Sequence, residues 1–165
     1  MKFETVWVYI LILVCALWAV TATAGDTSNQ VLRMLTADDL STMMQGWGYK
    51  ATSKVRESGR PYVSSGAGGI SFSIVFYDKK GDDVYEDIHM AAWFNDSFEG
   101  TMADANNWNL KNRHAYAVYD GNDNTVGLNM DLTVKGGVTE AYLETYIAMW
   151  GVYLHNFHVY LADAH

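Results

Sequence analysis

Thiols and positive charge are what this sequence lacks. One cysteine, Cys15, stands among 165 residues, inside the apolar amino-terminal run. Eleven basic side chains face nineteen acidic ones, a net charge of −8. Nucleic acid is thereby excluded as a broad partner, because its phosphate backbone repels such a surface. Only 18 % of the residues are charged while half are hydrophobic, which excludes bulk disorder. The length fits one ordinary domain and leaves no room for two halves with a cleft between them. A chain of this size buries roughly 68–70 % of its unfolded surface, so it needs no disulfide or metal staple.

Residues 1–24 read as an export signal. Lys2 precedes an apolar run over residues 6–20, and Thr21-Ala22-Thr23-Ala24 supplies the small-residue cleavage site. That run is shorter than the ~20 residues a membrane-spanning helix needs. Cleavage after Ala24, rather than retention as an anchor, is the expectation, with a periplasmic or secreted location. Leu13 and Val14 before Cys15 exclude a lipoprotein acceptor. The remaining 141 residues keep ten basic and eighteen acidic side chains, Lys2 and Glu4 having left together, and no cysteine. Such a domain holds no disulfide, thiolate nucleophile or Cys-type zinc site.

Residues 25–34 form a polar leader, expected to be loose, before a single domain over residues 35–165. Thr36 caps a first helix, with Asp39 three residues on and Leu35 and Leu40 as a staple. It runs to about Trp47 and stops at Gly48, with Leu40, Met43, Met44 and Trp47 on its core face. Residues 49–57 and 61–65 read as a hairpin around Ser58-Gly59-Arg60. Ile70, Phe72, Ile74 and Phe76 alternate with Ser71, Ser73, Val75 and Tyr77, the pattern of a half-buried strand. It returns as residues 84–94, with Ile88, Met90 and Phe94 on one face. Asp96 with Glu99 predicts a cap for a middle helix over residues 98–112. Gly100 and four asparagines give that helix poor propensity.

Residues 115–119 and 125–134 form the clearest hairpin, with Val126, Leu128, Met130, Leu132 and Val134 on one face and solvent on the other. Thr139 caps the last helix, stapled by Val138 and Leu143. Leu143, Ile147, Trp150, Leu154, Phe157 and Leu161 make one apolar stripe, flanked every seventh residue by Tyr146, Tyr153 and Tyr160. The stripe is core; the tyrosine flank suits either core or a partner helix. The order α-β-β-β-β-α-β-β-α describes an α+β fold, an antiparallel sheet with helices packed on it.

Catalytic and metal chemistry is missing. Gly66-Ala67-Gly68-Gly69 leads into a strand, whereas a phosphate cradle must open a helix. Asp120, Asn122, Asn124 and Asp131 fit a calcium-loop register in part, but Thr125 stands where that loop requires glycine. His155, His158 and His165 share a helix face without a carboxylate, and are better explained as helix-end histidines favoured by the dipole. Asp78, Asp82, Asp83, Glu86 and Asp87 form a solvated acidic turn. His89 and His114 are isolated from any nucleophile motif such as G-x-S-x-G. No catalytic residue, cofactor or metal ligand is assigned.

The segments Leu35-Thr36-Ala37-Asp38-Asp39-Leu40, Phe72 to Asp78, Asn106-Asn107-Trp108-Asn109, and Gly136-Gly137-Val138-Thr139-Glu140 through Trp150 carry a resemblance in their order and spacing. Together they resemble the YbjN family, described as bacterial sensory transduction regulators. The resemblance covers about residues 32–161 and implies a fold similar to type III secretion chaperones. The family brings no agreed catalytic residues. Its members often place a cysteine soon after the Phe-Tyr pair, where this chain has Asp78-Lys79-Lys80.

The expected function is therefore that of a non-enzymatic exported regulator or chaperone-like adapter acting by protein–protein binding. Trp93, Asn106, Trp108, Asn109, Tyr146, Tyr153 and Tyr160 are the candidate interaction surface. Asn106 and Asn109, one helical turn apart, suit hydrogen bonds to neighbouring backbone. The partner is a protein, with a homodimer among the options, and neither nucleic acid nor a membrane after signal cleavage. The alternative is a small-ligand or metal-ion sensor, using a cleft near Trp93 and Trp108 or the histidine cluster.

Overall fold

The computed structural model describes residues 29–94 and 100–164. The expected export signal, the expected Asp96 cap and His165 lie outside them. The elements are β1 (Val31–Leu32), α1 (Ala37–Gly46), β2 (Thr52–Val55), β3 (Pro61–Ala67), β4 (Ile70–Lys80), β5 (Val84–Phe94), α2 (Met102–Lys111), β6 (Tyr116–Asp120), β7 (Thr125–Thr133), β8 (Val138–Thr139) and α3 (Glu140–Ala164). The fold is α+β with an antiparallel sheet. Apart from the two-residue strands β1 and β8, the order is the expected one.

Local chemistry accounts for the helix ends. Thr36 Oγ1 accepts from the Asp39 amide at 3.0 Å, and Asp38 and Asp39 place negative charge at the positive end of α1. Gly48, with φ +91°, turns the chain out of the helix where a side chain would be strained. The middle helix departs from expectation: it starts at Met102, not near Phe98, and its cap is Thr101. Thr101 Oγ1 accepts from the Asp104 amide at 3.2 Å, while Asp104 accepts from the Thr101 amide at 2.9 Å. This reciprocal box satisfies two helix-end donors at once. Just before it, Gly100 approaches Val126 so closely that a Cβ would overlap that side chain.

The main sheet has the order β2-β3-β4-β5-β7-β6, every neighbouring pair antiparallel. A second, two-stranded ladder joins β1 to β8 through Val31↔Thr139 and Leu32↔Val138. The last residues of the leader thus form a strand, and Arg33 Nη1 donates to the Gly136 carbonyl at 2.6 Å.

Side-chain parity divides the sheet into two faces. Val63, Phe72, Ile74, Phe76, Ile88, Met90, Ala92, Val126, Leu128 and Met130 belong to one continuous core with residues of all three helices. The α3 stripe Leu143, Ile147, Trp150, Leu154, Phe157 and Leu161 is fully buried in it. Edge-on ring pairs lock the layers: Phe72 with Trp150 at 5.9 Å, Phe94 with Phe157 at 5.3 Å, and Trp108 with Phe157 at 4.9 Å. Each contributes about 0.5–1.5 kcal/mol beyond its burial. Among the described residues, no helix is long and apolar enough to cross a membrane.

Candidate functional site

Among the described residues every helix lies on one side of the sheet, and none lies on the other face. Its side chains fall into cross-strand rows. The central row, Thr52↔Ser64↔Ser73↔Ala91↔Asn129↔Tyr116, holds small side chains until it reaches Tyr116. One flanking row is Tyr62↔Val75↔His89↔Asp131, and the other is Trp93↔Gly127↔Val118. Small side chains between larger ones make a shallow trough across the strands. Tyr77, Trp93 and Tyr116 are 40–48 % exposed on this face, where an antiparallel sheet turned to water would ordinarily show polar residues.

One wall of the trough is a fixed polar cluster. His89 Nδ1 lies 2.6 Å from Asp131 Oδ1, and Tyr116 donates its hydroxyl to Asp131 Oδ2 at 2.8 Å. The Tyr77 ring meets His89 edge-on at 6.0 Å. Partial burial, then the Asp131 hydrogen bond and charge, push the Tyr116 phenol up to about 12. A cavity of about 540 Å³ opens beside the cluster, lined by Tyr77, Asp87, His89, Asp131 and Thr133 among others. With Nδ1 engaged by the carboxylate, Nε2 is the imidazole nitrogen left for a visitor.

The other wall is Trp93. A Cβ built on Gly127 would meet Cε3, Cδ2 and Cζ3 of the indole at 2.9, 3.0 and 3.1 Å. Three ring atoms at nearly one distance mean that the ring lies flat on the strand. Glycine is needed here for close approach, not for its backbone angles. One π face of Trp93 is sealed, and 48 % of the residue stays exposed. Gly127 and Asn129 are both buried, so β7 does not simply turn its second face to solvent.

The seven candidate surface residues do not form one surface. Trp93 is on the open face, whereas Trp108 is buried on the helix side, its Nε1 donating to the Ala115 carbonyl at 3.2 Å. The two tryptophans lie on opposite faces of the sheet. Asn106 is exposed on α2. Asn109 instead braces the edge of the sheet: its Nδ2 donates to the Ala117 carbonyl at 2.9 Å, and its Oδ1 accepts from the Ala117 amide at 2.7 Å. The tyrosine flank of α3 is half-buried within the monomer. Tyr146 donates to the Asp131 carbonyl at 2.6 Å, Tyr160 donates to the Asp104 carbonyl at 3.1 Å, and the Tyr153 ring lies 6.4 Å from that of His114. Burial raises the Tyr146 and Tyr160 phenols above their ordinary value.

The remaining sequence features are structural. His155 is exposed and His158 stacks on Phe94 at 6.2 Å; among the described residues no group of three or more His, Cys, Asp or Glu could hold a metal. In the acidic turn, Lys79 pairs with Asp83 and Lys80 with Asp78, both at 3.0 Å, and the Lys80 hydrogen bond lowers the Asp78 carboxyl. Asp120 Oδ1 accepts from the Asn122 amide at 2.9 Å within a hairpin turn. The partnership of His89, Asp131, Tyr116 and Asn129 was not read from the sequence. His89 and Trp93 do share strand parity in sequence, but the β5–β7 register that sets His89 beside Asp131, 42 residues away, and Trp93 beside Gly127 spans the α2 crossover.

No curated protein and no solved structure matches the chain. A family model does, over residues 36–157, from the end of the leader to the last turns of α3; its description is "Putative bacterial sensory transduction regulator". That span contains the whole six-stranded sheet and both walls of the trough, and the chain belongs to the YbjN family.

Proposed function

We propose that this chain is an exported, non-enzymatic regulator that works as a chaperone-like adapter, binding a protein partner on the open face of its sheet. The observation that carries this reading is the bare aromatic face: three helices cover one side, while Tyr77, Trp93 and Tyr116 stand exposed on the other. Aromatic side chains in a shallow, polar-rimmed depression are what protein interfaces enrich. Export is supported by the signal pattern of residues 1–24. The non-enzymatic reading is supported by the regulator description of the family and by the lack of a nucleophile motif. In the α3 flank Tyr146 and Tyr160 are tied to backbone carbonyls of the same chain and Tyr153 meets the His114 ring, so the flank contributes to folding and leaves the sheet as the docking side.

Blocking substitutions test this. Ser71 and Ala148 are both exposed, one on the open face and one on α3. In a native host lacking the chain, complementation with Ser71→Arg is expected to lose the regulatory transcript response, while Ala148→Arg keeps it. Retention by both, or loss by Ala148→Arg alone, contradicts the reading.

A further inference from the structure

We propose that the site between Trp93 and Tyr116 takes an arginine side chain of the partner polypeptide. The inference rests on the reading that a polypeptide docks on the open face. Its first support is the Trp93–Gly127 contact, which seals one π face of the indole on backbone and turns the other outward as a flat, pre-set platform. Indole is the side-chain ring that attracts cations most strongly.

The same face already accepts guanidinium groups. Arg60 lies over the Tyr77 ring at 4.6 Å and Arg56 over the Tyr62 ring at 5.5 Å. Both belong to the β2–β3 side of the sheet. On the β5–β6 side Trp93 presents a better ring, and among the described residues neither guanidinium–ring contact involves it.

The third support is Asn129, only 7 % exposed, whose Oδ1 has no hydrogen-bond partner among the described residues. It sits in the trough, one pair along from Gly127 on the same face, opposite Ala91 and Tyr116. An unmade acceptor beside an open π face asks for a ligand that donates without accepting. Guanidinium does that, with five N–H donors in a plane that stacks, whereas ammonium offers a hydrated point charge. Reaching Oδ1 requires the Tyr116 ring to turn aside and release its hydrogen bond to Asp131, while Trp93 keeps its place on Gly127. The net charge of −8 draws a cationic segment towards the protein.

The test uses the isotope-labelled protein and three short peptides, alike except for arginine, lysine or the neutral isostere citrulline. Nuclear magnetic resonance follows the Trp93 indole N–H and the Asn129 side-chain amide. The arginine peptide is expected to shift both, to bind more tightly than lysine, and to bind at least about five-fold more tightly than citrulline. Trp93→Ala is expected to weaken it about five- to thirty-fold, and Trp93→Phe by less. Equal affinity for citrulline overturns the proposal. So do shifts confined to the acidic turn of residues 78–87 that persist in Trp93→Ala. If a partner cross-links at position 93 while the arginine peptide leaves Trp93 unmoved, the arginine assignment fails and the docking reading stands. If neither occurs, both fail.

Discussion

His89 and Asp131 face each other across β5 and β7, with Nδ1 2.6 Å from Oδ1. The second oxygen of the same carboxylate accepts from Tyr116 on β6 at 2.8 Å. One side chain thereby ties three neighbouring strands together on the face opposite the described helices. It also engages Nδ1 of the His89 ring and fixes that ring against β7. A cluster ordered this way holds its side chains in one arrangement before any ligand arrives.

The Tyr116 phenol reports on that cluster. In the native protein it titrates at about 12, raised first by burial and then by Asp131, whereas in the unfolded chain it titrates near 10. Its contribution to stability is therefore intact below pH 10. Between about 10 and 12 the unfolded state loses its proton first and stability falls. Tyr49, Tyr146 and Tyr160, also raised by burial, act in the same direction. Ultraviolet titration is expected to show a group of tyrosines ionising late, with Tyr116 among them, and Asp131→Asn to bring one of them earlier. An unchanged titration contradicts the assignment.

Gly127 is predicted to be intolerant of side chains for a reason its backbone does not reveal. Gly127→Val forces the Trp93 ring off the strand and costs about 1–3 kcal/mol by overpacking. Denaturant unfolding measures the loss, and tryptophan emission is expected to move to longer wavelength as the indole enters water. Trp93→Ala in the same background is expected to restore much of the stability, because it removes the group that clashes.

Asn109 stands in for a strand that is not there. β6 is an edge strand, and the Asn109 amide group closes both backbone groups of Ala117. Asn109→Ala leaves them to water and is expected to cost about 1–3 kcal/mol. Hydrogen exchange at the Ala117 amide is expected to accelerate well before global unfolding. Protection equal to that of the native chain contradicts the bracing role.

The helix starts offer a comparison. Thr36 and Thr101 both cap through Oγ1, and replacing either by alanine is expected to cost about 0.5–2 kcal/mol. Thr101→Ala is expected to cost more, since its Oγ1 bond with Asp104 is part-buried whereas that of Thr36 with Asp39 is exposed. Thermal unfolding of the two variants ranks them.

These caps also show where sequence is legible. Thr36, Gly48 and the α3 stripe could be read directly because helix signals are local and periodic. The alternation of Phe72, Ile74 and Phe76 likewise announced which face is core. The start of α2 was misplaced because Asp96-x-x-Glu99 and Thr101-x-x-Asp104 both spell a capping box five residues apart. The Gly100–Val126 approach that accompanies the second is long-range. The trough stayed hidden for a similar reason. Its parts lie on strands that meet only through tertiary register, and nothing local in Gly127 announces the indole lying on it.

The central claim is that the open sheet face, and not the helical side, meets the partner. Site-specific photo-cross-linking in the native host tests it most directly, with the reactive residue at position 93 on the open face, or at position 110 or 152 on exposed helix positions. A discrete cross-linked protein at 93, absent at 110 and 152, is the predicted result. Cross-links at 110 or 152 with none at 93 would contradict the account.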